Sequence, residues 1–308
     1  MNFVYILIYL SLITHTLRVS VVDNLIRIFS SFHNSCLQLA PENVKSVESL
    51  HALVCGKNFN DPTQANLLIA SGLIHLFVVS GSHLKILEKI IFYALKNRFF
   101  SLTNFLQPLL YSLLFFYCAV CNFNPPIFRS FISLMILAVI QKLNLKWKSE
   151  NLILISGLIC LTLSPAWINS LSFQMSWIAG LSLVVISYFF AKSSLIWKNS
   201  LFYLQYLATF NFIGIPQPAS IGVATLFTSF LEYVLFPLAL AVYLFPFLGS
   251  LFDFFIFTLN AILSKLELTV IFRTPDNEKL ILINWVFIIS LHMFLNYSFK
   301  PRVQPCLN

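Results

Sequence analysis

Residues 69–85 read IASGLIHLFVVSGSHLK, an apolar run that contains two histidines, three serines and two glycines. In a soluble core such polar side chains would need hydrogen-bond partners. In a membrane each of them is costly, and it faces the bundle interior or a water-filled path. The role of this stretch therefore depends on the solvent that surrounds it.

The composition identifies that solvent. The chain has 308 residues, of which 58% are hydrophobic, 10% are charged and 33 are phenylalanine. Average soluble domains are about 45–50% apolar and about 25% charged, and a soluble chain this apolar would expose large patches. The sequence therefore predicts an all-α fold, a polytopic transmembrane helical bundle with about 8–10 membrane segments and one or more broken helices.

The distribution of charge predicts the topology. The net charge is +8, but membrane proteins concentrate lysine and arginine in cytoplasmic loops, so this excess alone does not indicate nucleic-acid binding. Basic clusters alternate along the chain with uncharged connections, NFNPP (122–126), SPAWINS (164–170) and IPQPAS (215–220). If every hydrophobic segment crosses, the basic clusters and both termini are cytoplasmic. Residues 250–266 suit an interfacial amphipathic helix equally well.

This topology divides the chain into four parts. We expect an N-terminal signal-anchor helix at 1–17, a short external polar loop at 18–66, a transmembrane domain at 67–299 and a cytoplasmic tail at 300–308. Cys36 and Cys55 lie in the external segment, where an oxidising compartment permits a disulfide, and we expect them to pair. The C-x-x-C pair Cys118 and Cys121 lies in the apolar run LLFFYCAVC, which favours packing over metal or redox chemistry.

The polar residues of the opening stretch have two interpretations. At about 100° per residue, Ser71, His75 and Ser82 fall on one stripe of a continuous helix, with His83 about a quarter-turn away. Gly72 and the triplet 80–82 favour close helix contact or a break in the helix. The stretch is therefore either a discontinuous helix that lines a polar pathway or a helix whose polar groups only hydrogen-bond its neighbours.

Other polar residues interrupt the later segments. Arg129 follows Pro125 and Pro126 within one helical turn, so that it either snorkels to the outer interface or meets phosphates that enter from outside. Gln174 and Ser176 lie near another helix start, and Glu232 is the only carboxylate deep in a hydrophobic segment. Pro237 follows one turn later and is expected to kink the helix there. A carboxylate in a pathway for an anionic solute must be neutral, paired or turned away.

No catalytic constellation emerges from the sequence. The histidines form neither H-E-x-x-H nor the H-x-H-x-D-H pattern of metallo-β-lactamase-type hydrolases, and no phosphate-binding G-x-x-x-x-G-K-[ST] loop is present. A membrane-embedded hydrolase using His75 or His83 would lack a carboxylate at useful spacing. We therefore expect no enzymatic activity, no cofactor and no metal.

Several motifs, in order, resemble the ComEC family of DNA-uptake channels. SGLIHLFVVSGSHL (71–84) resembles the family's competence-domain signature, and HALVCGKNFNDPTQANLLIA (51–70) resembles the approach to it. PPIFRSFISLMI (125–136), SPAWINSLSFQMSWIAGL (164–181) and the double-proline segment 215–246 resemble the later motifs. The matching positions are Gly72, His75, Ser80, Gly81, His83, Arg129, Gln174, Ser176 and Pro237. The chain departs from the pattern at Ser82, Lys85, Ser172 and Glu232. At the position of Glu232 the family tends to have asparagine.

The resemblance implies an inner-membrane channel that conducts single-stranded DNA into the cytoplasm during natural transformation. We expect the pathway to be lined by Ser71, Gly72, His75, Ser80, Gly81, Ser82, His83, Arg129, Gln174, Ser176, Glu232 and Pro237. Typical members add a larger external domain and a C-terminal metallo-β-lactamase-like domain, so we expect a competence domain alone. The implied partners are single-stranded DNA, an external DNA receptor, a cytoplasmic ATPase or strand-binding proteins, the lipid bilayer and, in a homo-oligomer, a second copy of the chain. The alternative is a small-molecule transporter or membrane-assembly protein that shares the scaffold.

Overall fold

The computed structural model describes residues 20–77, 79–98, 103–190, 194, 197–198, 200–201, 218–266 and 277–298. The helices are α1 (Val21–Gln38), α2 (Val47–Cys55), α3 (Pro62–Ala70), α4 (Ile74–Phe77), α5 (Gly81–Arg98), α6 (Thr103–Val120), α7 (Pro125–Lys142), α8 (Ser149–Leu163), α9 (Leu171–Phe189), α10 (Pro218–Phe230), α11 (Phe236–Leu244), α12 (Gly249–Lys265) and α13 (Asn277–Ser298). A π-helical turn, Leu231–Leu235, joins α10 to α11.

The all-α prediction is confirmed. Within the described ranges five helices are long and apolar enough to cross a membrane: Pro125–Lys142, Leu171–Phe189, Gly222–Leu244, Pro246–Lys265 and Lys279–Tyr297. Two shorter apolar helices, Leu106–Val120 and Ser149–Leu163, pack among them. The predicted signal anchor at 1–17, most of the segment 200–215 and the tail at 300–308 lie outside the described residues, so the full number of crossings stays a prediction.

The polar segment 18–66 forms helices where the sequence analysis expected an external loop. Helix α1 begins after Ser20, whose side chain accepts a hydrogen bond from the Asp23 amide at 3.1 Å. Val22, Leu25, Ile26 and Phe29 recur at helical spacing on one face and pack into the bundle. Composition alone made this segment resemble a loop, whereas its periodicity is that of an amphipathic helix. Helices α1 and α2 with their connection are called the disulfide hairpin below.

The disulfide hairpin covers one end of the bundle. Its Ser20 hydroxyl donates to Ser164 Oγ at 3.3 Å, and its His33 Nδ1 lies 2.8 Å from the Val120 carbonyl oxygen. Asn124 Nδ2 returns a bond to the carbonyl oxygen of Gly56, just after α2, at 2.7 Å. The uncharged connections 122–126 and 164–170 therefore lie under the hairpin, on one face of the molecule. We call this the covered face.

The turn between α11 and α12 also lies on the covered face, which corrects the predicted alternation. Asn43 Nδ2 donates to the Pro246 carbonyl at 2.8 Å, and the amides of Lys45 and Ser46 donate to the Asp253 carboxylate, each at 2.8 Å. Strict alternation counted three crossings between residues 170 and 245, which would place this turn on the opposite side. Hydrophobic length alone does not establish that a segment crosses the membrane.

The apolar interior consists of two cores. The first core joins α1 and α5–α9 with α13, and the second joins α2, α3 and α4 with α10–α12. The boundary passes through two irregular segments: Phe77 belongs to the second core and Val79 to the first, while Leu235 belongs to the second and Phe236 to the first. The break before α5 and the π turn therefore both lie where the two cores meet.

Candidate functional site

The opening stretch is a broken helix. Helix α3 ends at Ala70, and Gly72 has φ +72°, a left-handed conformation that glycine adopts without steric cost. The short helix α4 follows, and α5 begins only at Gly81. The predicted discontinuity is present, but the predicted single stripe of Ser71, His75 and Ser82 is wrong, because these residues lie on three separate elements. Ser71 is buried and donates to the Leu68 carbonyl at 3.0 Å, and the side chain of His75 lies outside the described part.

A polar cluster forms where the second break meets the π turn. The hydroxyls of Ser80 and Ser82 lie 2.7 Å apart, and the Ser80 amide donates to Nδ1 of His83 at 3.2 Å. Helix α5 packs against the π turn, which brings the carboxylate of Glu232 close to the side chain of Ser82. The imidazole of His83 is fully buried and stacks on Phe236 with ring centroids 4.3 Å apart. We call Ser80, Ser82, His83 and Glu232 the polar seam.

The π turn explains how Glu232 reaches α5. Pro237 has no amide hydrogen, so a regular α-helix would leave a carbonyl unpaired at this point. The Phe236 amide bonds instead to the Leu231 carbonyl, five residues earlier, and such π turns occur frequently at functional sites. The sequence analysis expected a proline kink here, and the structure places a π turn directly before the proline.

Close packing fixes the start of α5 against α7. A Cβ atom on Gly81 would overlap the side chain of Ser130, which itself bonds to the Pro126 carbonyl at 2.9 Å. Any larger residue at position 81 would push α5 away from α7 and from the seam. The glycine that the sequence analysis singled out is therefore required by a close helix approach.

Arg129 is buried in the bundle. Its side chain lies between α7 and α9, where Nε donates to the Ser176 hydroxyl at 3.0 Å and Nη2 donates to the Ser176 carbonyl at 2.8 Å. The residue is only 7% exposed, so the interpretation that Arg129 snorkels to the surface is wrong. Among the described residues an ion pair joins Lys148 to Glu150. None of the described carboxylates forms an ion pair with Arg129.

Gln174 belongs to a hydrogen-bond network between α9 and α13. Its Nε2 donates to the Ile168 carbonyl at 2.9 Å, and its Oε1 accepts from Asn284 Nδ2 at 3.0 Å. One turn further on, Trp177 Nε1 donates to Nε2 of His292 at 3.1 Å. Gln174 therefore hydrogen-bonds between helices α9 and α13.

The sequence analysis missed Asn284 and His292. They are eight residues apart in the apolar run LILINWVFIISLHMFLN, a spacing that puts both on one face of a helix. Both are buried, at 1% and 5% exposure. The same search for polar residues in apolar segments that singled out Gln174 would have found them.

The predicted residues thus fall into separate groups. Ser80, Gly81, Ser82, His83, Glu232 and Pro237 meet at the seam, whereas Arg129 and Ser176 meet between α7 and α9. Arg129 and Glu232, which the sequence analysis placed along one conduit, bond to different helices. The Cys36–Cys55 disulfide is formed, with Cα atoms 6.0 Å apart, and the Tyr243 hydroxyl lies 3.2 Å from Cys55 Sγ.

Comparison with known proteins now adds to this geometry. A family model described as a competence protein matches residues 53–297, which is most of the chain. The chain belongs to the competence protein family. No curated protein and no solved structure matches it.

The matched range begins inside α2 and ends inside α13, so it contains the seam, the Arg129 site and the Gln174 network. A competence-family membership supports a role in DNA uptake, and the apolar helices make this competence protein a multi-pass membrane protein. Its functional residues should therefore be sought among polar side chains inside the membrane.

We expect Glu232→Gln to leave this competence protein active. A glutamine keeps the shape of the side chain and its polar contact with Ser82 but carries no charge that would repel an anionic solute. Transformation frequency, normalised to the amount of protein in the membrane, should stay within about threefold of wild type, a change that corresponds to less than about 1 kcal/mol. Glu232→Leu, which removes the polar end of the side chain at similar volume, is the matched control and should be impaired. An equal loss of transformation frequency in both variants would show that the seam needs the carboxylate itself.

Proposed function

We propose that this protein is an inner-membrane channel that conducts single-stranded DNA into the cytoplasm during natural transformation. The observation that carries the proposal is the polar seam. Serine, histidine and glutamate side chains meet inside a membrane bundle, at the boundary of two apolar cores and beside two irregular helix segments. Polar groups are retained at such positions where a hydrophilic solute passes or binds.

The groups at this boundary suit a nucleic-acid strand. Hydroxyl groups can hydrogen-bond phosphate and sugar oxygens, and rings such as His83 and Phe236 offer faces on which bases stack. Opening the bundle along an irregular boundary between two cores disrupts fewer packing contacts than opening it through the middle of either core. The strand would pass between the cores, with the disulfide hairpin on the side from which it enters.

Arg129 adds a cationic site to this proposal. Among the residues that the structure describes, no carboxylate pairs with this buried guanidinium. Such a charge is costly in a membrane bundle, and an incoming phosphate would neutralise it. Its planar donors match phosphate oxygens in a way that a lysine does not.

The sequence contains no nucleotide-binding motif, so we propose that partner proteins supply the energy for transport. Inward movement of the strand would depend on a cytoplasmic ATPase or strand-binding proteins, and an external receptor would deliver the DNA. The covered face would be external and both termini cytoplasmic. The protein would bind no cofactor and catalyse no reaction, and a second copy of the chain is a further proposed partner.

Deleting the gene and following labelled DNA tests the proposal. Cells without the protein should bind duplex DNA at the surface but accumulate no nuclease-resistant label inside, and a plasmid copy of the wild-type gene should restore it. Piliation and surface DNA binding serve as controls for indirect effects. Normal internalisation in the deletion strain would refute the channel and favour the alternative, a small-molecule transporter or membrane-assembly protein on the same scaffold.

A further inference from the structure

Helix α5 carries basic and aromatic side chains on its exposed face. Lys85 and Lys89 are exposed, as are Phe92 and Tyr93, whose ring centroids lie 6.0 Å apart. At 100° per residue these four residues fall within an arc of about 100°. The opposite side of the helix, with His83 and Leu84 fully buried, packs into the first core.

This face lies at membrane depth. Helix α5 starts where Gly81 packs on Ser130 of α7, and Glu88 lies near Tyr111 of α6, so that α5 runs antiparallel to α6 and parallel to α7. With a rise of about 1.5 Å per residue, Lys85 lies about 6 Å beyond Gly81, near the middle of the apolar span Pro125–Lys142.

Two exposed lysines at that depth cannot face lipid without a large cost. Helix α5 is also not among the helices of the described ranges that are apolar enough to cross a membrane. Its exposed face is therefore in contact with water. The half-buried Glu88 offsets part of the positive charge, and it lies toward α6.

We propose that Lys85, Lys89, Phe92 and Tyr93 form a binding stripe for single-stranded nucleic acid, which leads from the polar seam toward the end of the bundle that carries Lys142 and Lys146. This inference rests on the proposed function and extends it to the exit half of the pathway. The lysines contact phosphates and the rings stack on bases, a combination that binds single strands irrespective of sequence. The stripe begins three residues after Ser82, so a strand leaving the seam meets it directly.

The salt dependence of oligonucleotide binding tests the stripe. The purified full-length protein is titrated with a fluorescent oligothymidylate at several salt concentrations. Each phosphate contact to a single strand contributes about 0.7 to the slope of log affinity against log salt, so Lys85→Gln with Lys89→Gln should lower the slope by about 1.4. Between about 50 and 200 mM salt this corresponds to a roughly sevenfold smaller loss of affinity. The matched control, Arg27→Gln with Lys265→Gln, removes two exposed basic side chains outside α5 and should keep the wild-type slope.

A second measurement covers the case in which the double variant does not fold. Lys85→Cys should react with a charged, water-soluble thiol reagent, whereas Leu113→Cys, on the exposed apolar face of α6, should not. An unlabelled Lys85→Cys, or a double variant with an unchanged slope, would overturn the stripe. If the stripe variants transform normally while the gene deletion abolishes uptake, the stripe is wrong and the channel stands. If the deletion strain takes up DNA normally, the proposed function itself fails.

Discussion

Arg129→Ala is expected to abolish transformation when the variant is present in the membrane at wild-type level. The reason is that two opposite charges attract more strongly inside the bundle than in bulk water. Two unit charges about 4 Å apart attract by about 1 kcal/mol in bulk water and by about 4 kcal/mol at an effective dielectric constant of about 20. Arg129 is buried, and both of its observed bonds lead to Ser176, so no carboxylate of the described residues compensates the guanidinium. Alanine removes this charge.

Two further variants separate charge from geometry. Arg129→Lys should restore transformation only in part, because an ammonium keeps the charge but cannot donate to the hydroxyl and the carbonyl of Ser176 in one plane. Ser176→Ala is the matched control, since it removes one of the two bonds and leaves the cation in place. We expect it to lower activity less than Arg129→Ala.

The measurement is transformation frequency divided by the amount of variant in the membrane. If Arg129 only holds α7 against α9, its alanine variant will lose abundance while each remaining molecule works normally. Wild-type activity per molecule for Arg129→Ala would therefore remove Arg129 from the DNA pathway and leave it as a structural residue.

The second large effect is expected from breaking the disulfide hairpin. Replacing both Cys36 and Cys55 with serine should destabilise the docked hairpin by about 3 kcal/mol, the loop-closure entropy for a sequence separation of 19 residues. This raises the population of the undocked hairpin roughly a hundredfold. The thiol of Cys121 reports the change, because it is fully buried and lies 3.5 Å from the Val54 carbonyl of α2.

Maleimide labelling of Cys121 in membranes should therefore increase in the double serine variant, and in the wild type after reduction. Tyr243→Phe provides the control: it removes the hydroxyl beside Cys55 but keeps the disulfide, so labelling should stay low. If Cys121 is equally protected in all these proteins, non-covalent contacts hold the hairpin in place without the bond.

The sequence was sufficient for the parts of the fold that depend on composition and local pattern. Apolar content predicted a membrane bundle, and Gly72 together with Gly81 predicted a broken helix, because glycine acts on its own backbone and its nearest neighbour. The hairpin was misjudged since its polar composition concealed the spacing of Val22, Leu25 and Phe29.

The candidate site was less accessible to sequence reasoning, because its contacts join distant residues. Ser82 and Glu232 are 150 positions apart, and only the packing of the π turn on α5 brings them together. Arg129 was correctly singled out as unusual. Its burial in the bundle depends on the positions of α8 and α9, and an arginine near a helix start does not reveal those positions. Asn284 was a detectable polar residue whose partner, Gln174, lies in another helix.

The docking of the disulfide hairpin also dictates the order in which the molecule can assemble. Its cysteines are separated by 19 residues and can pair early, but its other contacts reach residues made much later: Ser164 at a separation of 144, Tyr243 at 207 and Asp253 at 208. Contacts between positions so distant form slowly, after the intervening chain is in place. During synthesis the apolar face of α1 can pack on α6 as soon as that helix is in place, whereas the bonds from Lys45 and Ser46 to Asp253 wait until α12 emerges. Docking of the hairpin therefore has an early and a late stage, and a protein that stalls before α12 is inserted holds its hairpin through α1 without the anchor at Asp253.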